Sequence, residues 1–186
     1  MKKIKKNKTI AIFCGSKLGK RDIYEKEVTT MATLLSDNGF NIIYGGGKIG
    51  LMGVLYKIYT NLNAKIFGII PNFLNKPEIR QKNLKTLQVV NSLHQRKILM
   101  IKKADIFIIL PGGFGTLDEL FEILTLNQLN LYNKPVIIFN ISNSWKNLKL
   151  LIKTMHNEGF LYKQDIDNII WVNSNKKLIT ILNSLS

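Results

Sequence analysis

The chain has 186 residues, 46% of them hydrophobic, a single cysteine, and 27 Lys plus Arg against 12 Asp plus Glu for a net charge of +15. A chain of this length and apolar content can bury a full core without disulfides or metals, which excludes a stapled mini-protein and low-complexity disorder. No apolar run approaches the roughly 20 residues of a membrane helix, so no membrane partner is expected.

The opening MKKIKKNK reads as a basic leader over 1–8, because the apolar stretch behind it is too short for a signal peptide and no small-residue cleavage site follows. The first predicted strand runs from Thr9 to Cys14, followed by a helix from about Asp22 to Asn38 that stops at Gly39. A strand from Asn41 to Tyr44 precedes a helix from Gly50 to Asn63, and a third strand runs from Lys65 to Ile70. Residues Pro71 to Leu84 form the longest irregular segment, and long loops in compact domains tend to be functional. Beyond it come a strand from Thr86 to Val90, a helix from Ser92 to Lys103, a strand from Asp105 to Leu110 and a helix from Leu117 to Leu129. The last predicted elements are a strand from Pro135 to Phe139, a helix from Ser144 to Glu158, a strand from Ile169 to Val172 and a helix from Asn175 onwards.

Strands alternating with helices predict an α/β fold, doubly wound and Rossmann-like, with a mostly parallel sheet covered by helices on both faces. The strand cores IAIF, IFGII, IFIIL and VIIF are continuously apolar, as buried parallel strands are. No repeat or linker divides residues 1–186, which read as one nucleotide-binding domain.

The charge alone suggests a polyanionic partner, but only Arg21, Arg80 and Arg96 are arginines and the lysines are scattered. Surfaces that read nucleic acid favour the planar arginine fork, so no nucleic-acid partner is expected and the charge is left to attract small anions. Cys14 has no cysteine to pair with, which makes a cytoplasmic location the default.

In open α/β sheets ligands bind at the carboxyl ends of the strands. Three such ends carry glycine: Gly15 after the first strand, Gly45, Gly46, Gly47 and Gly50 after the second, and Gly112, Gly113 and Gly115 after the Asp105 strand. Glycine-rich turns opening helices expose backbone N–H groups and predict an anionic ligand, most simply a phosphate. Gly45, Gly47 and Gly50 match GxGxxG, but the next strand ends in Ile70, Pro71, Asn72 rather than the acidic residue an NAD ribose requires. A P-loop also fails, since Arg21 stands where Ser or Thr would bind magnesium.

Thr116 is placed to cap the helix after the third glycine turn, with Glu119 three residues on, a spacing that fits a capping box. The alternative for Glu119 is catalytic, a first-turn carboxylate about one ribose away from a phosphate held on the turn. Asp118 is expected to be exposed and Leu117, Leu120, Phe121 and Leu124 to form the buried stripe. Leu93, Arg96, Lys97 and Met100 fall on one face of the preceding helix, and Arg96 stands out in a chain that otherwise uses lysine. His94, His156 and Cys14 cannot build a zinc site with ordinary spacing, no GxSxG elbow is present, and no lysine is marked for a Schiff base. No metal and no cofactor are expected.

PGGFGTLDEL from Pro111 to Leu120, LHQRK from Leu93 to Lys97 and YGGGKIGLMG from Tyr44 to Gly53 resemble the LONELY GUY family of Rossmann-like proteins. Members include cytokinin riboside 5′-monophosphate phosphoribohydrolases, often mislabelled lysine decarboxylases. The resemblance spans nearly the whole chain. It implies hydrolysis of the N-glycosidic bond of a nucleoside 5′-monophosphate, AMP or a cytokinin riboside 5′-monophosphate, to free base and ribose 5-phosphate. It further implies Arg96 and Glu119 as the catalytic pair. Gly113, Phe114, Gly115, Thr116, Leu117 and Asp118 would form the nucleotide loop with Lys97, and Glu78 and Thr125 would complete the pocket, alongside the glycine turn at Gly46 and Gly47. A homodimer is the family's usual assembly. Three departures bear on the preferred base rather than the reaction: Gln95 before the RK pair, Leu93 in place of methionine, and Leu126 in place of tryptophan. The competing reading is a carrier or sensor that uses the same glycine turns to hold a nucleotide without chemistry.

Overall fold

The computed structural model describes residues 8–185, so all but the last residue of the predicted leader lies outside the described residues. Seven strands, β1 (Thr9–Phe13), β2 (Asn41–Tyr44), β3 (Ile66–Pro71), β4 (Leu87–Val90), β5 (Ile106–Ile109), β6 (Val136–Phe139) and β7 (Ile169–Val172), form one sheet in the order β4-β3-β2-β1-β5-β6-β7. Every pairing is parallel. The helices are α1 (Ile23–Asp37), α2 (Gly50–Asn61), α3 (Leu93–Lys103), α4 (Phe114–Gln128), α5 (Lys146–Asn157), α6 (Lys163–Asp167) and α7 (Asn175–Ser184).

The two-residue period of a strand sends alternate side chains to opposite faces, and β-branched residues fill both. Ile10, Ile12, Ile42, Ile106 and Ile108 pack under α1, α2 and α7 against Met31, Leu35, Leu51, Leu55 and Leu178. Ala11, Phe13, Ile43, Phe107 and Ile109 pack under α3, α4 and α5 against Met100, Leu120, Ile123, Leu148 and Ile152. Each fully buried isoleucine contributes roughly 1.5–3 kcal/mol.

Strand order reverses between β1 and β5, whose chains leave to opposite faces and open a crevice above their carboxyl ends. From β4 the chain returns across three strands to reach β5, so α3 lies over the middle of the sheet, in contact with β1, β2 and β3. Ser92 caps α3 by accepting the Gln95 N–H at 3.1 Å, while the Gln95 side chain accepts from the Asn91 N–H at 2.9 Å. That reciprocal lock places Arg96 in the first turn, level with the strand ends.

Two departures from the predicted elements matter. Helix α4 begins at Phe114, three residues before the expected Leu117, because Gly113 takes an extended cap conformation and Gly115 is carried inside the first turn. The short α6 was not expected, since five residues are too few to show a helical period; its start is closed by the Tyr162 N–H bonded to the Asp165 carboxylate at 2.9 Å.

Candidate active site

The three glycine turns pack on one another at the crevice. The Gly15 N–H donates to the Pro111 carbonyl at 3.0 Å, and the Gly15 carbonyl accepts the Leu51 N–H at 3.2 Å. The amide at the start of α2 is therefore satisfied by the first loop. Gly46 and Gly47 are buried as well: the Gly46 carbonyl accepts the Gln81 N–H at 3.0 Å, and Gly47 forms an antiparallel bridge with Arg80. Helix α4 differs. A Cβ on Gly113 or Gly115 would meet nothing within 4 Å, and Phe114 between them is 93% exposed. The space beside its first turn is thus open; the Thr116 N–H is taken by the Gly113 carbonyl at 3.0 Å, which leaves the Phe114 and Gly115 N–H groups at a helix N-terminus, where an anion is attracted. Beside it lies a cavity of about 490 Å³ between Gly15, Ser16, Pro111, Gly113, Tyr24 and Trp145.

Within this frame Arg96 of α3 meets Glu119 of α4, Nη2 to Oε1 at 3.0 Å, with side-chain exposures of 14% and 8%. The approach depends on Gly45, where a Cβ would stand 2.4 Å from Arg96 Nη2. The expected capping box is not formed. Gly113 is the N-cap, α4 has no side-chain cap bond, and Glu119 is the sixth helical residue rather than a first-turn group. The buried stripe is accordingly Thr116, Glu119, Leu120 and Ile123, with Leu117, Phe121 and Leu124 only half-buried at its flanks. A carboxylate thus sits where the helix period calls for an apolar residue facing the sheet.

Burial pushes the Glu119 carboxyl up to about 7; Arg96 opposes the shift, Asp118 adds to it, Lys97 opposes it and Glu122 adds to it. Cys14, at the end of β1, shares this environment: burial raises its thiol above the ordinary range, the charge of Glu119 adds to that and Arg96 opposes it. Such a thiol is a neutral wall of the site and a poor nucleophile.

Lys97 reaches Asp118 at 3.0 Å and Glu122 at 2.7 Å. Burial alone would lower its pKa, but the hydrogen bonds to these two carboxylates raise it. Asp118 is exposed, as expected. Neither Glu78 nor Thr125 forms a hydrogen bond or ion pair with Arg96 or Glu119. Thr125 is exposed six residues beyond Glu119, about 120° round the helix, and lines a small groove with Phe121, Gln128 and Met155. Glu78 is exposed on the strap of residues 72–86, which replaces a helix between β3 and β4. The strap is tied to the second glycine turn, the Lys48 N–H donating to the Ile79 carbonyl at 2.9 Å and Lys48 Nζ to the Pro77 carbonyl at 2.9 Å. Sequence reasoning passed over Cys14 as a site residue.

Among the described residues no helix is long and apolar enough to cross a membrane, and no group of three or more His, Cys, Asp or Glu side chains could hold a metal ion.

Residues 52–182 match the family described as "Possible lysine decarboxylase". The chain is 36% identical over 174 residues to the cytokinin riboside 5′-monophosphate phosphoribohydrolase LOG1 of Arabidopsis thaliana, covering 94% of this chain and 82% of that protein. It is 37% identical over 154 residues to the probable cytokinin riboside 5′-monophosphate phosphoribohydrolase LOGL3 of Oryza sativa subsp. japonica, covering 83% and 73%. Among solved structures, the molybdenum cofactor binding protein of Rippkaea orientalis superposes with a TM-score of 0.72 at 17% identity, over 97% of this chain and 98% of that one. The Moco carrier protein of Chlamydomonas reinhardtii gives 0.69 at 14%, over 96% and 97%. At those identities the likeness shows the Rossmann-like fold alone.

Proposed function

The chain belongs to the LONELY GUY family of phosphoribohydrolases, and on that footing we propose that it hydrolyses the N-glycosidic bond of a nucleoside 5′-monophosphate, AMP or a cytokinin riboside 5′-monophosphate, without metal or cofactor. The observation that carries this reading is the Arg96–Glu119 pair, buried beside the open N-terminus of α4. A buried ion pair is weak support for stability, because desolvation offsets the attraction. A carrier has no need of one there.

The 5′-phosphate sits on the N–H groups at the start of α4, with Phe114, Thr116, Leu117 and Asp118 around it. Five residues along the helix, at 1.5 Å each, set Glu119 roughly 7.5 Å further on, about the length of a ribose. As the C1′–N bond lengthens, positive charge grows on the sugar and negative charge on the base. The Glu119 carboxylate stabilises the first and orients the attacking water. Arg96 holds that carboxylate and adds a positive field. Lys97, itself held by Asp118 and Glu122, supports the loop. Water supplies the hydroxyl to C1′ and its proton to the departing base.

Decarboxylation through a lysine Schiff base finds no support at this crevice. Burial lowers the pKa of Lys134, but its ammonium is bound to the Ile101 and Ala104 carbonyls at 2.7 Å, closing the far end of α3.

The protein acts as a cytoplasmic homodimer. Thr125 points away from Glu119 on its own helix, so it enters a substrate pocket only when a second copy presents it. Incubation with a panel of nucleoside 5′-monophosphates, followed by assay of free base and ribose 5-phosphate, tests the proposal. Release of both in equal amounts supports it; nucleotide bound but never cleaved returns the protein to the carrier reading.

The pH dependence follows from Glu119. Its carboxylate must be ionised to act, and burial sets its pKa at about 7, so kcat/KM falls about tenfold per pH unit below that value and levels off above it. Removing the neighbouring charge with Asp118→Asn moves the midpoint to lower pH. A profile flat from pH 5 to 8 contradicts the assignment. The same shift acts on stability with the opposite sense. The folded-state pKa lies above the unfolded value, so the contribution of Glu119 is complete below about 4.5 and is lost as pH rises to about 7.

A further inference from the structure

Arg80 is one of three arginines in a chain rich in lysine, and the other two have evident partners: Arg21 bonds Ser142 and Tyr24, and Arg96 pairs with Glu119. Among the described residues no carboxylate lies within 4 Å of the Arg80 guanidinium. Its side-chain hydrogen bond is Nη1 to Asn75 Oδ1 at 3.2 Å, and its Nε is shielded from solvent without a partner. A half-buried cation with unused donors and no counter-charge calls for an acceptor.

The backbone locates that acceptor. Arg80 stands directly opposite Gly47 in an antiparallel bridge, so their Cβ directions agree. From Gly47 that direction meets Met52 Cε at 2.9 Å, and Met52 Sδ lies 3.0 Å from the equivalent position on Gly45, the glycine over which Arg96 lies. Arg80 therefore emerges on the same side of the glycine turn as the Arg96–Glu119 pair, one step further from α4. The sheet order repeats this sequence: the α4 N-terminus above β5, Glu119 against β1, Arg96 above the end of β2, then the strap that follows β3. At about 4.8 Å per strand, β5 and β2 are roughly 10 Å apart, a span suited to a ribose phosphate, with the base falling at the strap.

We propose that Arg80 is a further catalytic residue of this reaction, donating a hydrogen bond to N7 of a departing purine. The inference rests on the proposed nucleotide hydrolysis. The C1′–N9 bond breaks with its electron pair passing to the base, and the charge spreads into the ring as far as N7. Arg80 stabilises that charge while keeping its own proton, and the proton that neutralises the base comes from water. A guanidinium N–H can donate to a purine N7, as arginine does to guanine in nucleic-acid recognition, and a donor aimed at developing charge acts on kcat rather than on binding.

The test compares wild type, Arg80→Ala and Arg80→Lys on AMP and on 7-deaza-AMP, which lacks the N7 acceptor. Arg80→Ala is expected to lower kcat on AMP by about 10²-fold with KM changed only a few-fold, and Arg80→Lys to recover part of the loss. The penalty for removing N7 should be about 10²-fold smaller in Arg80→Ala than in wild type. Unchanged kcat in Arg80→Ala, or an N7 penalty equal in both proteins, overturns the proposal. Should Arg80→Ala not fold, Arg80→Gln serves in its place. If wild type releases no base from any nucleotide, the hydrolase reading fails by itself. The contact is then read by calorimetry with free adenine and 7-deazaadenine: a wild-type preference for adenine that vanishes in the variant supports it, and equal binding refutes it.

Discussion

Glu119→Gln is expected to lower kcat by roughly 10²- to 10⁴-fold while nucleoside monophosphate binding survives. The amide keeps the size of the carboxylate, and the phosphate-binding N–H groups of α4 lie a helical turn away, so the ground-state complex loses little. What disappears is the negative charge that answers the forming oxocarbenium-like sugar, an interaction made mainly in the transition state. The substitution leaves Arg96 facing a neutral group, as protonated Glu119 does, so little stability is lost with the charge. Thermal unfolding measured beside turnover separates the two effects, since a protein folded at the assay temperature with an unchanged nucleotide Kd and depressed kcat has lost chemistry alone. Normal turnover would reduce Glu119 to a packing role.

Gly50→Ala is expected to destabilise the protein by about 3 kcal/mol, which for a chain of this size lowers Tm by roughly 6 to 12 °C. Gly50 has φ of +61°, where an L side chain is strained by about 1–2 kcal/mol. An added Cβ would also stand 2.3 Å from the Ser16 carbonyl carbon and 2.4 Å from the Lys17 nitrogen, both backbone atoms that cannot rotate aside. Relief requires the first loop to move off α2, which breaks the Leu51 to Gly15 bond and disturbs the wall of the crevice. Activity should therefore fall together with stability. Gly113→Ala, with open space around its Cβ, provides the control for stability.

The fold was legible because most strand cores are continuous apolar runs and most are separated from the next by a helical pattern. The α/β class and all seven strands follow from that. The site was legible only in part. Arg96, Lys97, Asp118 and Glu119 do converge, but the capping-box pattern at Thr116 and Glu119 is misleading, because spacing cannot tell which of Gly113 and Thr116 starts the helix. The shift of three residues turns Glu119 from a capping group at the surface into a buried carboxylate facing the sheet. Equally hidden were the occupation of the α2 amide by Gly15 and the docking of the strap on Gly46 and Gly47, since both are contacts between loops distant in sequence. Neither Thr125 nor Glu78 bonds to the Arg96–Glu119 pair within one chain.

The central claim is that the Glu119 carboxylate faces the anomeric carbon of a nucleotide whose phosphate rests on the start of α4. A crystal structure of the Glu119→Gln protein with AMP bound measures this directly. The account predicts the phosphate on the N–H groups of the Gly113–Thr116 turn and the substituted side-chain amide at position 119 within about 3.5 Å of C1′. AMP bound with its ribose turned away from that position, and no other carboxylate near C1′, would contradict it.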